Sequence, residues 1–454
     1  MAKEPISSFD QAVEFLMGLV RDDPRPYGAR AGLAQHPVRA LLTRVGEPQI
    51  ELPVVHIAGS KGKGSTALYL EAILEGTGLR TGVFTSPHLQ RWTERFRVGG
   101  KESTPTAFAA LFARLQPHVG ELLSRDAARA PSFFDVLTAA ALMLFAEQRV
   151  DCAIIETGIG GRLDATNIVQ PILSCITSIE LEHSDKLGTS IAAIAGEKAG
   201  IIKQGVPVVI GRLPGEAETV IRHRAAELDA PVSALEQDIG FSTRPAPGGG
   251  LGIRVIDHQQ EFHAELAAPA SRCNARNAAL AIACARRIRP QDDALLGPAI
   301  ARAVPATRPP GRMEVVSRQP WIVIDGAHTP ASTRALAELL EGLPARKLHL
   351  VVSLSATKNA ATVLAPLLAR AHSVVVTSAD PSRSLDSGRV AADLVAGGYP
   401  ASRVRAIRNP RQALLDTHTS LAPDDLLCIT GSMYMAGVAR ETLVGSASAP
   451  EHTP

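Results

Sequence analysis

The chain has 454 residues, enough for two or three domains of about 150 residues, each able to bury a core. Hydrophobic residues make up 45%, charged residues make up 20% and the formal net charge is +2, which is ordinary globular usage and gives no indication of a nucleic-acid surface. The five cysteines are scattered singly, which favours free thiols in a reducing compartment and argues against zinc. Since we see neither a signal-peptide pattern nor an apolar run of about 18 residues, we expect a cytoplasmic protein without membrane spans.

The first predicted element is a helix within residues 1–20, where apolar residues recur at helical spacing. The face that we expect to be buried consists of Val13, Leu16, Met17 and Val20. A loop that contains proline and glycine follows at 24–32. The first segment is therefore predicted to be a helix with one apolar face, followed by a loop.

Residues 54–66 read VVHIAGSKGKGST, an apolar run followed by a glycine-rich turn, a lysine and two hydroxyl residues. The pattern predicts a buried strand, a loop and a helix that carries Leu70, Ile73 and Leu74 on its apolar face. Backbone N–H groups in such a loop, together with the positive end of the helix that follows, form an anion site. This stretch is the strongest functional signal in the sequence.

The polar residues of this stretch favour a nucleoside triphosphate as the anion. Lys63 supplies a cation for the phosphates, and Ser65 or Thr66 offers a hydroxyl to Mg²⁺. The spacing differs from G-x-x-x-x-G-K-[ST], because Gly64 separates the lysine from Ser65. A glycine-rich turn without a ligand is the alternative, but the strand, glycines, lysine and hydroxyls coincide here.

Strand and helix patterns then alternate along the chain, which predicts parallel βαβ units with binding loops at the carboxyl ends of the strands. The predicted strands lie in 80–89, 152–161, 173–179 and 206–211, and the predicted helices span 106–124 and 133–148. The helix at 133–148 is apolar nearly all round, so we expect it to be buried. Between 212 and 265 the alternation changes to short strands around a glycine turn, which indicates a small antiparallel subsheet.

After a predicted helix at 274–288, residues 303–316 contain three prolines and a glycine and form the best linker candidate. Beyond this linker the α/β pattern restarts, with strands in 321–328, 348–354, 373–379 and 426–432. We therefore predict an α/β protein with an N-terminal domain at 1–306, a C-terminal domain at 307–446 and a disordered tail at 447–454.

Two further segments carry polar residues where an apolar run ends. In TSPHL (85–89), Ser86 offers a hydroxyl to a metal, and an ordinary strand-ending turn is the alternative. In ETGIGGRLDATN (156–167), Glu156 leaves a buried strand and needs a partner, which Mg²⁺ beside a triphosphate would provide. A helix cap or a salt bridge is the alternative for this carboxylate.

Two basic residues complete the set of candidates. His183, in SIELEHSDKLG, follows an apolar run among acidic residues, where it is either a ligand or a structural histidine. Lys198 lies in a helix-like segment with few charges nearby, where burial would lower its pKa and make it reactive. The alternative for Lys198 is an exposed salt-bridge partner.

In their order, these segments resemble the folylpolyglutamate synthase/dihydrofolate synthase family of the Mur ligase superfamily, from about residue 8 to residue 444. The motifs that carry the resemblance are HIAGSKGKGS, TSPHLQRWTERFRV, ETGIGGRLDATN, SIELEHSDKLG, EKAGIIK, PGRMEVV, IDGAH and ITGSMY. The resemblance implies a Mur-ligase-like fold, with a P-loop ATPase domain that binds ATP and the pterin and a smaller Rossmann-like domain for glutamate ligation. It also implies that L-glutamate is joined to dihydropteroate, to folate polyglutamates or to both through an acyl phosphate, with release of ADP and phosphate.

The resemblance also implies roles for individual residues. The implied catalytic residues are Lys63, His183 and Lys198. The implied ATP-binding residues are Gly59, Ser60, Lys61, Gly62, Lys63, Gly64, Ser65, Thr66, Asn274, Arg312 and Asp325. The implied metal ligands are Ser65, Ser86, Glu156, His183 and, once carbamylated, Lys198. The implied substrate-binding residues are Pro87, His88, Arg91, Arg162, Asp164 and His328. The implied ions are two Mg²⁺ and, as a further candidate, K⁺, and the implied partners are small molecules bound by a monomer, without nucleic acid or membrane.

The sequence departs from the family pattern at several positions. Lys61, Glu182, Thr329 and Asn359 stand where the family usually has other residues. These departures concern the contacts to ATP and glutamate more than the type of reaction. Two alternatives therefore stay open, a Mur-type ligase acting on a different carboxylate and a P-loop nucleotide-binding protein without ligase activity.

Overall fold

The computed structural model describes residues 4–20, 37–126, 130–246, 250–355, 359–380 and 384–445. The loop predicted at 24–32 and the tail predicted at 447–454 lie outside these ranges. The chain divides into two compact units, one formed by 1–244, 252–266 and 272–307 and the other by 245–251, 267–271 and 308–454. This division supports our proposal of domains at 1–306 and 307–446.

The first helix, α1 (Phe9–Met17), confirms the predicted element but only part of its predicted buried face. Its buried side chains are Ala12, Phe15 and Leu16. Met17 and Val20, which we expected in the core, are 53% and 42% exposed. The helix ends at Met17, so Val20 no longer follows the helical spacing from which its burial was inferred.

In the part of the chain that the structure describes, the first unit is built on an eight-stranded sheet. Its strands are β1 (Val54–Ala58), β2 (Thr81–Phe84), β3 (Phe96–Val98), β4 (Lys101–Glu102), β5 (Cys152–Glu156), β6 (Leu173–Ile176), β7 (Val208–Ile210) and β8 (Val232–Ala234). The order is β4-β3-β2-β5-β1-β6-β7-β8, and the pairs from β2 to β8 are parallel. β3 and β4 add an antiparallel hairpin at one edge. The parallel sheet predicted from the alternating pattern is confirmed.

Helices cover both faces of this sheet, as a parallel sheet requires. They are α2 (Pro37–Arg44), α3 (Lys63–Gly76), α4 (Pro105–Arg125), α5 (Phe133–Glu147), α6 (Ser184–Leu187), α7 (Ile191–Ala199), α8 (Gly215–Glu227), α9 (Arg272–Ile288) and α10 (Asp293–Ala306). One core cluster joins α4 and α5 to β2 and β5, and another joins α7 and α8 to β6 and β7. α5 is buried nearly all round, as predicted.

Two predictions for the end of the first unit were partly wrong. The change of pattern begins at 239, not at 212, because α8 and β8 continue the alternation. The α8 pattern was weak because the helix buries only three described side chains, Ala217, Ile221 and Ala225. The predicted linker at 303–316 begins inside α10, which ends at Ala306.

The subsheet itself consists of β9 (Ile239–Ala246), β10 (Gly250–Asp257) and β11 (Gln260–Leu266), in the order β11-β10-β9. Two residues connect β10 to β11, and a connection this short joins antiparallel neighbours. The small subsheet predicted in this region is therefore present.

The second unit has a six-stranded sheet among its described residues. Its elements are β12 (Glu314–Arg318), β13 (Trp321–Ile324), α11 (Pro330–Glu341), β14 (Leu348–Val352), α12 (Ala360–Leu368), β15 (Ala371–Val376), α13 (Ser387–Ala396), β16 (Val404–Ala406), α14 (Pro410–Thr419), β17 (Leu426–Thr430) and α15 (Met433–Leu443). The order is β12-β13-β17-β14-β15-β16, in which β12 alone pairs antiparallel. The predicted fold class, a P-loop α/β unit plus a smaller α/β unit, is confirmed.

Two expectations from composition can be compared with this fold. Four of the five cysteines, Cys152, Cys175, Cys284 and Cys428, are buried, and Cys273 is exposed. Within the described ranges, we find no helix with the length and apolar character needed to cross a bilayer.

Candidate active site

The strand order of the first unit brings three sequence motifs to one edge of its sheet. β1 lies between β5 and β6, and the three strands run parallel. Their carboxyl ends, at Ala58, Glu156 and Ile176, therefore lie side by side. Ligands of open α/β sheets bind at such an edge, because the loops that leave it splay apart where the strand order reverses.

The glycine-rich loop follows β1 and leads directly into α3, whose N-terminus carries a partial positive charge. Gly59 and Gly62 adopt φ angles of 146° and 87°, which favour glycine. A Cβ atom at Gly59 would overlap Thr177 Oγ1, and one at Gly62 would overlap Asn277 Oδ1. The loop is thus packed tightly against its neighbours. Because glycine stands at positions 59 and 62, no side chain of these two residues lies between the backbone N–H groups and a bound anion.

The segment that follows β6 holds this loop in place. Ser60 N–H donates to the carbonyl of Ser178 at 2.7 Å, and Lys61 N–H donates to Ser178 Oγ at 2.8 Å. Thr177 Oγ1 donates to the carbonyl of Lys61 at 2.6 Å. The sequence analysis did not select Thr177 or Ser178, since their contact with residues more than 100 positions away depends on strand order.

The structure brings three of the predicted residues together beside the loop. Lys63 Nζ donates to the carbonyl of Gly59 at 3.0 Å and lies 3.9 Å from Glu156 Oε1. The other carboxylate oxygen of Glu156 accepts the backbone N–H of Ser86 at 3.0 Å. Glu156 is buried, so its charge is held where Lys63 and a bound cation can compensate it.

The start of α3 adds hydroxyl groups to this cluster. Ser65 and Thr66 are buried, and Thr66 Oγ1 has no hydrogen-bond partner among the described residues. A Cβ atom at Gly64 would lie 3.3 Å from Glu156 Oε2, so the first turn of the helix passes directly over the carboxylate. The extra glycine after Lys63 therefore leaves room for the carboxylate at this close approach.

Carboxylate and hydroxyl oxygens are the ligands that Mg²⁺ prefers, and protein sites usually leave its remaining positions to phosphates and water. Ser65, Ser86 and Glu156 fit this chemistry. The structure shows no ready-made cluster of three or more His, Cys, Asp or Glu side chains for a metal within the described ranges. A magnesium ion here would depend on the nucleotide for part of its coordination.

A second group of charges lies beside the loop on the β6 side. Glu182 Oε2 is 3.0 Å from Lys61 Nζ, and Glu182 Oε1 is 3.4 Å from Lys198 Nζ. Burial disfavours the charged carboxylate, but the attraction of Lys61, Lys198 and Lys63 outweighs it and lowers the pKa of Glu182 to about 2. Glu182 was noted in the sequence only as a departure, and its two partners became visible in the fold.

Lys198 is buried near the end of α7, and the exposed salt bridge considered as an alternative is wrong for it. Burial and the nearby Lys63 lower the pKa of Lys198 to about 8, although Glu182 opposes the shift. His183 is in the left-handed region, with a φ of 48°, at the start of α6. Burial also lowers the pKa of His183, with Glu182 opposing, which favours the neutral imidazole that can bind a metal.

The predicted substrate residues after β2 already have partners. His88 Nδ1 accepts a hydrogen bond from Arg95 Nε at 2.9 Å, and burial with the charge of Arg95 lowers its pKa to about 3. The His88 ring lies 4.5 Å from that of Trp92, between centroids. Arg91 pairs with Glu102 at 2.9 Å. Pro87 precedes this group in the same half-exposed loop, which presents a neutral histidine beside aromatic surface.

The loop after β5 carries two predicted substrate residues, of which one is exposed and the other is buried. Arg162 pairs with Glu197 at 2.6 Å, and its side chain is 47% exposed. Asp164 is buried and accepts N–H groups from Gly158, Ile159 and Thr166, each at 3.0 Å. Burial raises the pKa of Asp164, although these hydrogen bonds oppose the shift. These hydrogen bonds let Asp164 shape its own loop, and direct contact of Asp164 with the substrate stays a prediction.

The remaining candidates lie on α9 or in the second unit. Asn274 is in the first turn of α9, one turn before Asn277, which packs against Gly62 and was not selected from the sequence.

In the second unit, Asp325 accepts the N–H groups of Met313 and Ala327, each at 2.7 Å. Burial raises the pKa of Asp325, although the charge of Arg312 opposes this shift. His328 Nδ1 lies 2.7 Å from the carbonyl of Gly326.

The chain was compared with known proteins. Residues 311–433 match the family described as Mur ligase, glutamate ligase domain. The chain is 32% identical over 426 residues to the dihydrofolate synthase/folylpolyglutamate synthase of Bacillus subtilis, covering 92% of this chain and 96% of that one. It is 34% identical to a probable bifunctional folylpolyglutamate synthase/dihydropteroate synthase of Haloferax volcanii, which covers 96% of this chain, while the chain spans only 50% of that relative's length.

The fold is similar to that of the Mycobacterium tuberculosis folylpolyglutamate synthase complexed with ADP, with a TM-score of 0.86 and 33% identity. The match covers 98% of this chain and 99% of that one. Similarity of this extent includes both units. The chain therefore belongs to the folylpolyglutamate synthase/dihydrofolate synthase family of ligases.

Proposed function

We propose that this chain joins L-glutamate to the carboxylate of a pterin substrate, either dihydropteroate or a reduced folate, and converts ATP to ADP and phosphate. The observation that carries the proposal is the grouping of Lys63, Glu156 and Ser86 beside a glycine loop. The identity with the Bacillus subtilis relative over nearly its full length supports the substrate class.

The need for ATP follows from the charges of the two substrates. A carboxylate and an amine form a salt in neutral water and do not condense, so the carboxylate must first be activated. A carboxylate oxygen attacks the γ-phosphorus of ATP, the bond to the β-phosphate oxygen breaks, and ADP leaves. The glutamate amine then attacks the acyl carbon, the amide forms, phosphate departs, and the nitrogen loses a proton.

The chain's own residues prepare this transfer. The loop backbone and the N-terminus of α3 hold the phosphates, and Lys63 reduces the repulsion between the triphosphate and the incoming carboxylate. Ser65, Ser86, Glu156 and His183 would hold Mg²⁺, and Lys198, once carbamylated, would help to hold a second ion. When bound, the ions neutralise developing charge on the phosphate oxygens. The residues Arg312, Asp325 and His328 of the second unit are proposed for ATP and glutamate.

Finer parts of the proposal rest on the family resemblance. We propose two Mg²⁺ ions per site, K⁺ as a further candidate ion, a monomeric enzyme and a cytoplasmic location. We also propose activity on both dihydropteroate and reduced folates. The motifs GRLDATN and SPHLQRWTERFRV, which resemble those of the bifunctional bacterial type, support this dual activity.

The experiment is a measurement of ADP release with one component omitted at a time. Purified protein with ATP, Mg²⁺, L-glutamate and dihydropteroate should release ADP continuously only when all four are present, because without L-glutamate the acyl phosphate is not consumed and turnover stops. A reduced folate should replace dihydropteroate. If neither pterin is turned over but a UDP-sugar-linked carboxylate is, the chain is a ligase that acts on a different carboxylate, and the folate substrate is rejected. Slow ATP hydrolysis that no acceptor accelerates would support a nucleotide-binding protein instead.

A further inference from the structure

A buried histidine in the middle of β1 takes no part in the chemistry proposed above. His56 lies three residues before the glycine loop, and its side chain is fully buried. Burial, together with the charge of Lys203, lowers the pKa of His56 to about 3, so its imidazole is neutral and carries one proton. Its Nε2 lies 2.9 Å from Thr166 Oγ1, whereas Nδ1 has no hydrogen-bond partner among the described residues. The contact with Thr166 is therefore what a histidine gains over an apolar residue at this position.

Thr166 connects His56 to a carboxylate. It is fully buried in the loop after β5, and its hydroxyl donates to Asp164 Oδ1 at 2.5 Å. An ionised carboxylate only accepts hydrogen bonds, and this distance is typical of a hydroxyl that donates to one. Because the hydroxyl has a single proton and gives it to Asp164, Thr166 Oγ1 accepts its other hydrogen bond from Nε2–H of His56. The three side chains therefore form a directed chain of hydrogen bonds, from His56 through Thr166 to Asp164.

This chain ends on the backbone of the loop after β5. The second oxygen of Asp164, Oδ2, accepts the N–H groups of Gly158 and Ile159, each at 3.0 Å. A Cβ atom at Gly158 would lie 3.2 Å from the same oxygen, so the start of the loop is in close contact with the carboxylate. Asp164 thus joins the start of the loop to its end at Thr166, and His56 connects the closed loop to β1.

The connection links the two loops that the reaction needs side by side. β1 leads into the glycine loop, which is assigned above to the nucleotide, and the loop after β5 carries Arg162 and Asp164, which are assigned to the pterin. We propose that His56 is a positioning residue, which acts through Thr166 and Asp164 to hold the loop after β5 in its pterin-binding conformation before the substrate arrives. This inference rests on the proposed function, because that function assigns the loop to the pterin.

A positioning role predicts a change in KM, which a purely structural role does not. A loop that is ordered before binding does not have to be ordered by the substrate, so this cost is absent from the binding free energy. Without the donor of His56, the pterin would have to order the loop, and the KM for dihydropteroate would rise. Loss of folded protein would instead lower the concentration of active enzyme, which lowers the apparent kcat and leaves KM unchanged.

The test is steady-state ADP release at varied dihydropteroate and saturating ATP, Mg²⁺ and L-glutamate, together with calorimetric ADP binding. His56→Leu removes the donor and keeps an apolar side chain, whereas His56→Gln retains an N–H group at the same distance along the side chain as Nε2. We expect His56→Leu to raise KM about fivefold, the effect of one neutral hydrogen bond, with kcat and ADP affinity within about twofold of the parent. We expect His56→Gln to bring KM back to within about twofold of the parent.

Thr166 supplies the second part of the test. Thr166→Val removes the hydroxyl at nearly constant size, so it should raise KM by at least the same factor, and adding His56→Leu should then change KM no further. His349→Leu is the matched control, because it removes a histidine of the second unit whose Nδ1 lies 2.8 Å from Ser373 Oγ. This control should leave the KM for dihydropteroate unchanged.

An unchanged KM in His56→Leu, at any kcat, would overturn the positioning role. A raised KM that His56→Gln does not lower, or an effect of His56→Leu that persists in full beside Thr166→Val, would also overturn it. If His56→Leu does not fold, Thr166→Val is compared with Thr166→Ser, which keeps the hydroxyl. A KM raised by valine alone supports the chain of hydrogen bonds, and equal KM values reject it. A parent chain that turns over neither pterin refutes the proposed function itself, whereas an active parent with an unchanged KM in the variants refutes only the role of His56.

Discussion

Replacing Lys198 with alanine is expected to lower the rate of glutamate ligation by about 10³-fold, the upper part of the range for removing one preorganised charge contact. Lys198 is buried beside Glu182 and near Lys63, at the same edge of the sheet as the phosphate loop. The resemblance implies that its amine forms a carbamate that helps to hold a second Mg²⁺. A lowered pKa leaves more of the amine neutral, which is the form that reacts with carbon dioxide.

The measurement is steady-state ADP release together with calorimetric ADP binding. Lys198→Ala should retain ADP affinity within a few-fold, and a small carboxylate such as formate should restore part of the rate by occupying the vacated space. Lys186→Ala, which truncates an exposed lysine of α6, is the control and should match the parent. Activity of Lys198→Ala within twofold of the parent would contradict this role and favour a nucleotide-binding protein without ligase chemistry.

Replacing Glu156 with glutamine is expected to lower kcat/KM by at least about 10²-fold, since even residues that only support metal ligands cost 10- to 100-fold. Glutamine preserves the size of the side chain and its acceptor oxygen for Ser86 N–H, but removes the charge. Lys63, at 3.9 Å, would then face a neutral group. The half-saturating Mg²⁺ concentration should rise along with the loss of rate.

A titration of initial rate against Mg²⁺ concentration checks this prediction. Glu147→Gln, at the exposed end of α5, is the matched control and should leave the Mg²⁺ dependence unchanged. A Glu156→Gln protein that loses activity at an unchanged Mg²⁺ dependence would show that the carboxylate acts only through Lys63 and the loop. Melting curves of both variants separate this result from unfolding.

The sequence predicted those parts of the site that depend on local pattern. Glu156 and the loop at 59–62 could be placed because each follows an apolar run, and such runs end at the same edge of a parallel sheet. The face of α1 could be predicted only in part. Met17 is apolar but lies at the end of the helix, where spacing no longer determines burial.

The other parts of the site depend on contacts between distant segments. Asn277 packs on Gly62 because α9 passes over the loop, and the sequence analysis chose Asn274, one turn earlier. Lys61 and Glu182 each appeared as a departure from the family pattern, but their pairing follows from the adjacency of β1 and β6. Asp164 is a different case, because its acceptors are satisfied locally by the backbone of its own loop, which the sequence pattern did not reveal.

The central claim is that this chain forms an amide between a pterin carboxylate and the amine of L-glutamate. The most direct measurement is mass spectrometry of the pterin product after incubation with ATP, Mg²⁺ and L-glutamate, using dihydropteroate and tetrahydrofolate in separate reactions. We predict a product heavier than its substrate by one glutamyl residue, formed in equal amount to the ADP released. ADP release in both reactions with unchanged pterin masses would contradict the claim.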